Sequence, residues 1–138
     1  MATLRSTAAL LGRAMLALLF LISAFGKISG PAATMQYMAA GGLPHAAVPA
    51  LFALSLSIEL LGGLMLMFGW YAELAALVIF FWMIPVTVMF HVLTGETLQW
   101  EKNLAIMGGL LMVAASGPGA FSFRVMPAGT LRQAYAAK

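Results

Sequence analysis

The sequence contains no cysteine and no aspartate. The first absence excludes disulfides, iron–sulfur clusters and thiolate metal sites built from this chain. The second leaves glutamate as the only acid, at Glu59, Glu73, Glu96 and Glu101. Charge of either sign is scarce. Charged residues make up 8% of the chain, whereas soluble domains carry roughly 25%. In their place stand hydrophobic residues, 63% of the total, with a mean hydropathy of +1.00. That composition describes an integral membrane protein. The seven Lys and Arg residues are dispersed rather than clustered, so the net charge of +3 predicts no nucleic-acid partner. They serve better as topology signals.

The most informative acid is Glu59, in Ser55-Leu56-Ser57-Ile58-Glu59-Leu60-Leu61-Gly62-Gly63. No charged residue lies between Lys27 and Glu59, or between Glu59 and Glu73. A charge at the centre of a bilayer helix costs about 2.5–3.5 kcal/mol on insertion scales, so Glu59 should face protein or water. At helical spacing Ser55, Glu59, Gly62 and Gly63 share a face, and the two glycines admit a neighbouring helix at close range.

The first span is expected at about residues 10–27. Arg5 and Arg13 ahead of an apolar run resemble a signal peptide, but residues 23–27 form a poor cleavage site, so a retained span is expected. Arg13 and Lys27 lie about 21 Å apart along a helix, less than the ~30 Å hydrocarbon core. Two readings follow. The side chains snorkel outward in opposite directions as interfacial anchors. Alternatively, since they share a face with Phe20 and Ser23, they form a polar stripe turned toward the bundle interior.

Residues 29–46 carry Gly30-Pro31, Gly41-Gly42 and Leu43-Pro44 and read as a loop. A short interfacial helix is expected near residues 32–40, with Met35, Met38 and Ala39 on lipid. The second span is expected at 47–68, with Pro49 in its first turn, and Gly69-Trp70-Tyr71 predicts a tight interfacial turn. The third, at 72–93, should kink at Pro85 and carries His91 near its far end. Residues 94–102 read as a polar loop and 103–116 as a fourth span, closed by Gly117-Pro118-Gly119. The expected division is a transmembrane domain over 1–123 and a basic tail over 124–138, bearing Arg124, Arg132 and Lys138.

The predicted fold is all-α, a transmembrane up-and-down four-helix bundle. Arg5, Arg13 and the basic tail favour cytoplasmic N- and C-termini. By depth, Arg13 can reach Glu59, and a structural ion pair Arg13–Glu59 is expected across the first two spans. Glu59 and His91 are the candidate catalytic residues, since intramembrane carboxylates serve proton or quinone chemistry and histidine titrates near working pH. The blander readings are a structural acid and an interfacial histidine. Lys102-Asn103 at a helix start could hold an anion. His45 beside Pro44 sits in a loop, which disfavours a haem shared with His91. No metal site is expected, because no acid or histidine pair has ligand spacing. The eleven methionines scatter over several spans and read as bundle packing.

Taken together, several stretches resemble the DoxX family of small four-helix membrane proteins. They are Arg13 with the run to Ser23-Ala24-Phe25-Gly26-Lys27, then Gly42-Leu43-Pro44, Glu59-Leu60-Leu61-Gly62-Gly63-Leu64 and Phe68-Gly69, and finally His91 with Lys102-Asn103-Leu104-Ala105-Ile106-Met107-Gly108-Gly109. The resemblance implies the same fold, with polar positions at Arg13, Lys27, Glu59, His91, Lys102 and Asn103. Some members resemble the quinone-reducing membrane subunit of a thiosulfate:quinone oxidoreductase, others are linked to oxidative stress or quinone resistance, and distant relatives act as membrane chaperones. Without cysteine and with small outer loops, this chain offers no evident site for thiosulfate oxidation. The expected function is a membrane subunit of quinone-linked redox or respiratory chemistry in a bacterial inner membrane. Quinone would be its cofactor, bound near Lys27, His91, Lys102 and Asn103, with no covalent cofactor. The alternative is a non-catalytic accessory or assembly subunit. The expected partners are the lipid bilayer and a larger membrane complex or a second copy of the chain.

Overall fold

The computed structural model describes residues 2–122; the basic tail expected over 124–138 lies outside them. Among the described residues the regular structure is entirely helical. The elements are α1 (Ala2–Ser29), α2 (Pro31–Ala40), α3 (Val48–Phe68), α4 (Ala72–Thr87) with a π-helical continuation (Val88–Val92), and α5 (Thr97–Ser116). Among the described residues three stretches are long and apolar enough to cross a membrane: Thr3–Ser29, Val48–Phe68 and Ala72–Val92.

Packing runs α1 on α3, α3 on α4, α4 on α5, and more loosely α5 back on α1, so the four long helices close a ring. Its core holds Ala17 and Phe20 of α1, Leu66 of α3, Ala75, Ala76 and Ile79 of α4, and Leu110 of α5. Large apolar side chains also face outward, among them Met15, Ile22 and Phe25 of α1, Leu61 of α3, and Leu74 and Phe81 of α4. Apolar inside and apolar outside suits helices that pack on each other and on lipid.

Close approach inside the ring depends on small residues. A Cβ at Gly63 would meet Leu21 at 3.0 Å and the Ala17 carbonyl oxygen at 3.4 Å, so the glycine seats α1 against α3. Gly63→Leu is expected to force the two helices apart and to cost about 1–3 kcal/mol, read as a lower midpoint of unfolding in detergent. Gly63→Ala should lie at the mild end of that range.

The structure alters several expectations. α1 begins well before residue 10 and α5 at Thr97, so two thirds of the expected polar loop is helical. α2 forms where expected, with Pro31 in its first turn, but it does not lie on lipid with Met35, Met38 and Ala39. Met38 is buried against Val48 and Phe90, and Met35 and Ala39 pack on the same cluster. Burying this methionine face releases more free energy than leaving it at an interface. Tyr37 stacks on Phe90 with ring centroids 5.4 Å apart, and a Cβ at Gly41 would collide with that ring. α2 therefore covers one end of the ring instead of floating beside it.

Candidate functional site

Lys27 sits in the last turn of α1 and Glu59 in the middle of α3. The Lys27 Nζ donates to Glu59 Oε2 at 2.6 Å and to Ser23 Oγ at 3.0 Å. The Ser55 hydroxyl donates to Glu59 Oε1 at 3.4 Å. Each charge thus has a serine one helical turn before it, on the same face. The two charged side chains are largely buried, at 16% and 13% exposure. Pairing and hydrogen bonding offset the desolvation that either charge alone would suffer. An ammonium has three N–H donors, and the structure uses two of Lys27's, on Ser23 and Glu59. The third is available to an incoming acceptor. The cluster can therefore do two things chemically: donate a hydrogen bond to a carbonyl, and accept or return a proton at Glu59.

The expected Arg13–Glu59 pair is not formed; Glu59 is paired with Lys27 instead. The Arg13 guanidinium turns toward the opposite end of the ring. Its Nη1 donates to the Pro118 carbonyl, and its Nη2 to the Phe121 carbonyl at 2.6 Å. It also lies against Gly69, the left-handed cap of α3 at φ 70°. A Cβ there would sit 2.9 Å from the guanidinium carbon and 2.6 Å from Ser122 Cβ, so only glycine fits. Helix C-termini carry partial negative charge on unpaired carbonyls. The ends of α3 and α5 lie beside Arg13, and the turn after α5 supplies the two carbonyls it bonds, which holds the guanidinium away from Glu59. Neither Arg13 nor Lys27 snorkels outward. Arg13 is 2% exposed, and the polar stripe reading of α1 is the one the geometry matches.

The other candidates are placed separately. His91 lies in the π-helical segment, and its Nδ1 donates to Glu96 Oε2 at 2.9 Å in the turn that follows. With Nδ1 so engaged, Nε2 is left for another partner. Asn103 Nδ2 donates to the buried Thr87 hydroxyl at 3.0 Å, tying α5 to α4. Lys102 is exposed. The expected anion site at Lys102-Asn103 fails for a local reason. α5 begins at Thr97, so these residues are not at its N-terminus, where Glu96 is the residue that precedes the first turn. His45 is exposed between Pro44 and the start of α3. Among the described residues no group of three or more His, Cys, Asp or Glu is placed to hold a metal ion.

The cation that meets Glu59 is Lys27 and not the expected Arg13. The signal that could have found Lys27 is the repeated spacing, Ser23 to Lys27 and Ser55 to Glu59, which sets two matching polar faces. The signal for Arg13 was the Gly117-Pro118-Gly119 stop, which leaves carbonyls with no helical donor.

Apolar helices wrapped around a nearly enclosed ion pair define a small helical integral membrane protein. Comparison with known proteins narrows the class. The chain belongs to the DoxX family, whose model matches residues 8–92. It is similar to "Inner membrane protein YqjF" of Escherichia coli strain K12, 36% identical over 125 residues, covering 88% of this chain and 93% of that protein. It is also similar to "Inner membrane protein YphA" of the same strain, 29% identical, covering 82% of this chain and 85% of the relative. No solved structure matches it.

Proposed function

We propose that this chain is an inner-membrane subunit of quinone-linked redox chemistry, with four spans and both termini on the cytoplasmic side. Two relatives are named inner membrane proteins, which supports the location. The outward Leu104, Leu111 and Met112 of α5 support a fourth span. The observation that carries the functional reading is the Lys27–Glu59 pair, largely buried, flanked by two hydroxyls and with one ammonium donor to spare. A quinone carbonyl accepts that donor, and Glu59 handles the proton. Lys27 and Glu59 are the working pair in this reading. His91 with Glu96 serves proton exchange at the outer surface, and the electrons come from a partner subunit.

The test is quinone content of the purified protein together with quinol oxidation in membranes bearing wild type, Lys27→Met or Glu59→Gln. Both quantities are expected to fall at least about tenfold in each variant, the equivalent of one lost hydrogen bond to a charged group. Unchanged values in both variants would overturn the reading. One observation favours the accessory role instead. Gly108 faces outward on α5 with open space where a Cβ would stand, a smooth strip on which another helix can lie. A partner retained at fixed stoichiometry by Glu59→Gln, and lost on Gly108→Leu, would select that role.

A further inference from the structure

The ring is least tightly closed between α1 and α5. A groove of about 450 Å³ runs there, lined by Ala8, Gly12 and Met15 on one side and Gly109, Met112 and Ser116 on the other. Arg13 lines the same groove. We propose that this groove seats one acidic phospholipid, its acyl chain between α1 and α5 and its phosphate paired with Arg13. The proposal is independent of the quinone reading, which concerns the other end of α1.

Charge is the first constraint on the occupant. Arg13 is 2% exposed, and its Nε has no hydrogen-bond partner. Its other bonds go to two carbonyls, which carry only partial charge. Among the described residues no carboxylate answers it. Glu59 is taken by Lys27 and Glu96 by His91, and neither Glu73 nor Glu101 forms an ion pair with Arg13. Residues 123–138 contain no aspartate or glutamate. A buried cation without a full counter-charge is costly, so the missing charge is supplied from outside the chain.

Depth and shape then choose the occupant. Arg13 lies level with the C-terminal ends of α3 and α5, beside Gly69 and Pro118, where the ring stops and lipid head groups begin. Basic pockets between membrane helices at that level take acidic lipid head groups. The rest of the lining is almost wholly apolar, and the volume lies within the ~300–1,000 Å³ range of ligand sites. An acyl chain is the apolar body that a bilayer offers. A zwitterionic head group would bring its own cation toward the guanidinium and give no net compensation, so the lipid is an acidic one.

The test is native mass spectrometry of the full chain reconstituted in equimolar phosphatidylglycerol and phosphatidylcholine, then gently extracted. Wild type should retain one phosphatidylglycerol per chain. Gly12 lines the groove and has nothing within 4 Å of where its Cβ would stand, so Gly12→Phe sets a ring into the groove and leaves Arg13 in place. That variant should lose at least about 90% of the retained lipid, whereas Gly108→Phe, pointing elsewhere, should keep it. Should Gly12→Phe not extract as a folded monomer, Ser116→Leu blocks the same groove from α5. Equal retention of the two lipids, retention unaffected by both blocking variants, or a second protein's helix cross-linked at position 12 in place of lipid would each overturn the proposal.

Discussion

Lys27→Met is expected to be among the most destabilising single changes in this protein, at about 3–5 kcal/mol, because it strands the Glu59 carboxylate in the middle of α3. The reverse change should cost less. Glu59→Leu leaves Lys27 in the last turn of α1, where its flexible stem can swing the ammonium toward water. About 1–2 kcal/mol is expected there, the scale of a lost charged hydrogen bond. The double variant Lys27→Met/Glu59→Leu removes both charges and should return stability to within about 1 kcal/mol of wild type, since replacing a buried pair by apolar groups is often neutral. Denaturant titration of the four proteins in detergent gives the coupling energy directly. Single variants of equal and negligible cost would show that the pair is not buried as described. The double variant is also the cleanest functional probe. It is expected to fold and to lose quinone binding, which separates a structural role from a chemical one.

The second large effect is expected at Arg13. Arg13→Met removes both donors from the Pro118 and Phe121 carbonyls and empties the space against Gly69. Hydrogen bonds from charged groups contribute about 1.5–3 kcal/mol each, so a loss of roughly 3–5 kcal/mol is expected. Hydrogen exchange should localise it. The Gly117 amide, bonded to the Val113 carbonyl at the end of α5, is expected to lose protection, while those around Ser55 and Glu59 keep theirs. Arg13→Lys should recover part of the loss only, because a single ammonium cannot span two carbonyls as the planar fork does. Uniform deprotection along the chain would argue against a local clasp.

Much of the fold was legible because a membrane span is a strong signal. Between Lys27 and Glu73 only Glu59 is charged, and Pro31, Gly69 and Gly117 mark ends that the structure keeps. Boundaries failed where polarity misled. Thr97, Gln99 and Glu101 read as loop, yet they begin α5, because a helix end beyond the apolar zone tolerates polar side chains. The burial of Met38 depended on Phe90, distant in sequence and placed by a π-helical turn that no local pattern announces. The site was legible as a set of residues and illegible as pairs. Depth along the helices left Glu59 between two cations, and depth alone does not say which side chain turns which way. The deciding term was the pair of turn carbonyls, Pro118 and Phe121, that the fold carries to Arg13, a property of the tertiary assembly that the linear order of residues conceals.

The π-helical segment Val88–Val92 has a consequence for comparing this chain with its relatives. A wide turn of this kind accommodates one residue beyond the α-helical register. Losing that residue would restore ordinary phase and swing everything after it by roughly 100° about the helix axis. Phe90 would leave the collar formed by Tyr37 and Gly41, and His91 and Glu96 would turn together to a new side of the bundle. A relative one residue shorter between Pro85 and His91 therefore keeps the same hydropathy profile while presenting a differently oriented histidine, so sequences here are best matched by facing direction and not by position number.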